Sequence, residues 1–154
     1  MRHAAVCMLV VIVVLALACP YGAAKDETVD ELKARFESAH PEDRAELAIR
    51  IAQYQLRNAD KLYNDGKDDQ ARAAVDDIVT YSEKARDAVT QTRKHLKNVE
   101  IDVRKMAEKL RDIKRTLAFE DQPPVEHAIH RLEDIRTTLL KEMFAKEEKE
   151  EQKK

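Results

Sequence analysis

No glycine and no proline falls between Lys67 and Gln122. Through that stretch apolar or small residues recur in alternating steps of three and four: Val75, Ile78, Ser82, Ala85, Val89, Thr92, Leu96, Val99, Val103, Met106, Leu110, Ile113 and Leu117. This is an a/d heptad seam sustained over six heptads, the pattern of helices packed in the manner of a coiled coil. It predicts one continuous helix from Asp69 to about Glu120, about 52 residues and ~78 Å long. Charged residues at 38% and aromatics at 5% agree with long helices, and no run alternates apolar and polar residues as a strand would.

The flanking segments are shorter. Thr28-Val29-Asp30-Glu31 fits a capping box that opens a helix carrying Leu32 and Phe36 on one face. Pro41, followed by Glu42 and Asp43, opens a second helix, whose apolar stripe runs through Ala48, Ile51, Ala52, Gln55, Ala59 and Leu62, widened by Leu47 and Tyr54. Asn64-Asp65-Gly66 ends it, with Gly66 suited to a left-handed residue at a tight helix–helix turn. Beyond the seam, Asp121-Gln122-Pro123-Pro124 stops the long helix. Val125, Ala128, Ile129, Leu132, Ile135, Leu139 and Met143 then form the apolar face of a last helix. Tight turns at both ends predict an all-α fold: a long central helix with shorter antiparallel helices folded back on it, the second over residues 69–92 and the last over 97–118. Apolar flanks left open would be closed by the first helix or by a homodimer along the remaining seam.

Residues 1–24 read as a signal peptide: Arg2, an unbroken apolar run from Ala4 to Ala18, the breakers Pro20 and Gly22, and the small residues Gly22-Ala23-Ala24. Cleavage after Ala24 is the first choice and after Ala18 the second. Lipid attachment at Cys19, after Leu15-Ala16-Leu17-Ala18, is a third reading. The protein is thus expected in the periplasm or outside the cell. It would be membrane-bound only through a lipidated Cys19 or an uncleaved signal. Both cysteines, Cys7 and Cys19, lie in this segment, so cleavage after Ala24 leaves a bundle, residues 25–144, held by packing without disulfides. Residues 145–154 are a charged tail.

Nucleophilic catalysis has little to draw on. No Gly-x-Ser-x-Gly is present, and Ser38 and Ser82 are the only serines, so no enzyme is expected. His127 and His130, one turn apart with Asp134 beyond, have spacing that suits a transition metal, but a structural site needs four ligands and no second cluster is visible. A small-ligand or metal-binding bundle is therefore the alternative to a structural or interaction protein. Met106 and Met143 fall on apolar stripes and read as core, so no cofactor is expected.

Charge is uneven along the seam helix. Between Arg93 and Arg115 stand nine Lys or Arg against four Asp or Glu. Lys97, Arg104 and Arg111 recur every seven residues, and Ile101 and Arg115 lie on the same outer face. An outward Ile among cations suits a protein partner or an anionic envelope polymer, unless acidic residues of the neighbouring helices neutralise the stripe. Export argues against nucleic acid as the partner, and none is expected.

Ala59, Leu62, Gly66 and Ala71 make the turn after the second helix similar to that of one tetratricopeptide repeat over about thirty residues. Glu83 stands where that repeat closes with proline, and there is no second copy. The resemblance implies an αα-hairpin and carries over no peptide-binding residue. Taken whole, the chain resembles small exported helical bacterial proteins without assigned activity, which adds no site residues. The Leu-Thr-x-x-Gln motif of periplasmic helical chaperones is absent.

Overall fold

The computed structural model describes residues 27–151; the segment read as a signal peptide, with Cys7 and Cys19, lies outside them. The described residues form α1 (Val29–Ser38), α2 (Pro41–Asn64), α3 (Asp68–Thr92), α4 (Leu96–Thr116), a 3-10 turn (Phe119–Asp121) and α5 (Gln122–Glu151), with no strand among them. The chain is all-α, as its periodicity predicts. α5 continues to Glu151, so the boundary drawn at residue 144 is not a helix end.

Three local expectations hold. Thr28 caps α1, its hydroxyl accepting from the Glu31 amide while Glu31 accepts from the Thr28 amide at 2.8 Å. Pro41 stands in the first turn of α2. Gly66, at φ 69°, makes the left-handed turn into α3, a conformation that costs a residue with a Cβ.

The single long helix does not form. It divides at Arg93-Lys94-His95, where Arg93 (φ 58°) and His95 (φ 62°) both take left-handed conformations and the chain reverses. The local pattern gives no warning, because it holds no glycine or proline and the seam stays in phase from Val89 through Thr92 to Leu96. Burial decides against the straight helix. A left-handed conformation costs an L-residue roughly 1–2 kcal/mol, whereas burying one Leu, Ile or Met contributes about 1.5–3 kcal/mol. Reversal puts Leu96, Val103, Met106, Leu110 and Ile113 into one core with Ile51, Val75, Ile78 and Val89. An extended spine would leave the flanks of both halves in water.

The result is an up-down-up-down bundle of α2 to α5, with α1 laid across the α2–α3 pair. Ion pairs mark the alignment. Arg72–Asp121, Glu83–Arg131 and Arg93–Glu142 join α3 to the α5 side at sequence separations of 49, 48 and 49, so these helices run parallel. Lys94–Glu42 (2.7 Å) and Lys109–Asp60 (3.3 Å) hold α4 parallel to α2. Glu100–Arg136, Arg111–Glu133 and Lys114–Glu126 close on the α4–α5 turn at separations of 36, 22 and 12, an antiparallel hairpin. Gln55 donates to Asp77 at 2.6 Å across α2–α3. The two expected hairpins therefore exist in the expected register, but stand side by side instead of end to end. On α1, Phe36 meets Tyr81 edge-on at 5.8 Å, and the Lys84 ammonium lies over both rings.

Two fully buried positions test this core with opposite signs. Val103→Asp puts an unpaired carboxyl at a site with 0% exposure and should cost on the order of several kcal/mol, unfolding the bundle. The Ser82 hydroxyl is equally buried and has no hydrogen-bond partner among the described residues. Ser82→Ala removes that orphan and should raise stability by about 1 kcal/mol. Urea denaturation followed by circular dichroism reads both. An unchanged midpoint for Val103→Asp would mean that the residue is exposed.

Candidate interaction surface

The cations of α4 are placed by the bundle more than by their spacing. Of the nine between Arg93 and Arg115, most meet acids. Arg93, Lys94, Lys109, Arg111 and Lys114 reach across to Glu142, Glu42, Asp60, Glu133 and Glu126. Arg104 and Arg115 pair along their own helix with Glu108 at 3.5 Å and Asp112 at 3.0 Å. Within the expected stripe, Arg104, Arg111 and Arg115 are thus engaged inside the fold. Lys97 and Lys105 are exposed and carry no ion pair among the described residues. They stand four residues before and after Ile101, on the same side of the helix. Ile101 is half-buried while its seam neighbours Val99 and Val103 are buried. The outward patch is therefore Lys97, Ile101 and Lys105, with Arg104 beside it.

Glu100 faces the other way. It is 8% exposed and accepts from Arg136 at 2.7 Å, a charge-assisted bond at the α4–α5 boundary. In the sequence Glu100 is only one of the four acids between Arg93 and Arg115. Its one visible signal is its position next to the seam residue Val99.

The α2–α4 edge is open at one end. A cleft of about 430 Å³ lies between the N-terminal halves of these helices, with Ala45, Ile49 and Val99 at its base. Its rim carries Glu42, Asp43, Glu46, Asp102, Arg50 and His95. Arg50 is held by Glu27 at 3.0 Å, whereas Asp43, Glu46 and Asp102 carry no ion pair among the described residues. This cleft exists only because the chain reverses at Lys94, so the straight-helix expectation could not contain it.

His127 and His130 lie on the exposed side of α5. His130 Nδ1 sits 3.7 Å from Glu133, and Asp134 lies 4.0 Å from Arg131. Among the described residues no group of three or more His, Cys, Asp or Glu is arranged to hold a metal ion. Two large apolar side chains stand in the open: Phe119, 85% exposed at the α4–α5 turn, and Phe144, 59% exposed near the opposite end of the bundle. Phe144 could have been noticed as an aromatic one step off the stripe that ends at Met143.

On the cleft rim, the Lys94 hydrogen bond and charge hold the Glu42 carboxyl below its ordinary range. A depressed folded-state value contributes stability present above the unfolded carboxylate pKa and lost as pH falls through the folded one. Melting temperature measured from pH 6 to pH 2 should therefore fall on the acid side partly through Glu42. Glu42→Gln should flatten that part and leave the profile near neutrality otherwise parallel to wild type. Exposure keeps the effect small.

Among the described residues, no helix is long and apolar enough to cross a membrane. Comparison with protein-family models, with curated proteins and with solved structures finds no match.

Proposed function

We propose that the protein is an exported helical interaction module, an adaptor or chaperone-like bundle without catalytic activity, whose contact surface is the outer face of α4. One observation carries the reading. When the bundle has engaged most of the cations of the stripe, Lys97 and Lys105 stay without an ion pair among the described residues and bracket the half-buried Ile101. Two free ammonium groups around an apolar side chain suit an anionic partner with an apolar element, either an acidic protein or an envelope polymer. Arg104 and Arg115 can contribute by exchanging their own-helix acids, which are exposed pairs of little strength. Arg111 is less available, because its partner Glu133 lies on the neighbouring helix.

A second reading, a small-ligand-binding bundle, is favoured by the α2–α4 cleft. Unpaired carboxylates over an apolar base suit a small organic cation there better than a metal at His127, His130 and Asp134.

The test is a Lys97→Glu, Lys105→Glu variant, which breaks no ion pair of the fold. Its circular dichroism and melting should match wild type. On vesicles containing anionic lipid and on anionic envelope material at low salt, affinity should fall on the order of tenfold or more, and wild-type binding should weaken as salt rises. Equal retention of variant and wild type would reduce the patch to a solvated face.

A further inference from the structure

Three independent features meet at Arg93-Lys94-His95. The apolar seam crosses it without a phase change, so a helix continued through these residues would keep Val89, Thr92, Leu96 and Val99 on one face. The segment lacks the usual stop and start chemistry. Arg93 closes α3 where glycine is the common residue, His95 opens α4 without a side-chain cap, and the first turn of α4 holds no acidic residue. The other two turns of the bundle do carry such chemistry, Gly66 between α2 and α3 and Pro123-Pro124 between α4 and α5. Finally, two non-glycine residues in this turn are left-handed, a strain that exists only in the reversed chain.

We infer that this turn is a hinge that opens into a continuous helix over residues 68–116, and that the partner of the opened form is a second copy of the same chain. Opening lifts the α4–α5 hairpin off the α1–α3 platform, and the exposed faces of both halves match one partner already present in the sequence. A second copy offers the α4–α5 hairpin the same surface. Arg72–Asp121, Glu83–Arg131 and Lys109–Asp60 re-form between chains, and the core residues regain their neighbours. Only contacts at the hinge itself change: the strained conformations disappear and helical hydrogen bonds replace them. The exchange thus gives a two-fold dimer, with two straight helices antiparallel about an axis near Lys94.

The test reads both association and the shape of one chain. In a Cys7→Ala, Cys19→Ala background, Gln70→Cys and Arg115→Cys, both exposed, carry nitroxide labels. Labelled chains are refolded at high concentration with excess unlabelled protein, so the distance read is within one chain. In the compact monomer the labels share one end of the bundle, about two helix diameters apart, ~20 Å. In the exchanged dimer they should lie ~68 Å apart along one straight helix. Arg93→Ala, His95→Ala, which favours helix and disfavours the left-handed turn, should raise the dimer constant on the order of tenfold or more. Arg93→Gly, His95→Gly should lower it and keep the short distance. If the double Ala chain does not fold, His95→Ala replaces it, and the wild type is read by the same distance. A dimer that keeps the short distance, a dimer fraction equal in the Ala and Gly chains, or an Ala chain that stays monomeric under all refolding conditions would each overturn the inference.

Discussion

Burial of the seam drives the chain into a left-handed turn that its local sequence does not favour, and the rest of the bundle follows from that conflict. Arg93 and His95 take up the strain. In return Leu96, Met106 and Leu110 share a core with Ile51, Ile78 and Val89, and a few buried side chains outweigh two strained residues. Within one chain, the α2–α4 cleft and the parallel α3–α5 pairing exist only with the reversal in place. A straight chain would by itself contain two hairpins and neither of these features.

Charge serves this architecture in register more than in strength. The ladder Arg72–Asp121, Glu83–Arg131, Arg93–Glu142 keeps a near-constant sequence separation along two parallel helices. Each rung is partly exposed and contributes at most about 1 kcal/mol. A shift of α5 by one turn, however, would break all three together. The high charged fraction therefore selects one alignment among several that an apolar seam alone would allow.

How much of this was readable in the sequence varied with the range of the interaction. The capping box at Thr28, the start at Pro41 and the turn at Gly66 are local, and each is encoded by residues within a few positions of it; the stop expected near Glu120 falls earlier, at Thr116. The two hairpins follow from those turns. The middle reversal does not, because nothing in Thr-Arg-Lys-His-Leu stops a helix; it depends on residues brought together from both halves. The same limit applies to the α4 stripe. Spacing identified Lys97, Ile101, Arg104, Arg111 and Arg115 as one face, but which cations remain free is decided by acids on other helices. Lys105, absent from the stripe as read by heptads, carries no ion pair among the described residues, like Lys97.

The two exposed phenylalanines extend the point to surfaces. Phe119 and Phe144 stand at opposite ends of the bundle, outside both the seam and the basic patch. Single exposed aromatics are common and need no partner, so neither defines a site by itself. Their positions do separate end from side. The helix ends present isolated apolar groups, the α2–α4 edge presents carboxylates, and the outer face of α4 joins free cations to an apolar side chain. That last combination offers an anionic partner charge and contact area at once, which is why it carries the functional reading in preference to the larger but scattered apolar groups.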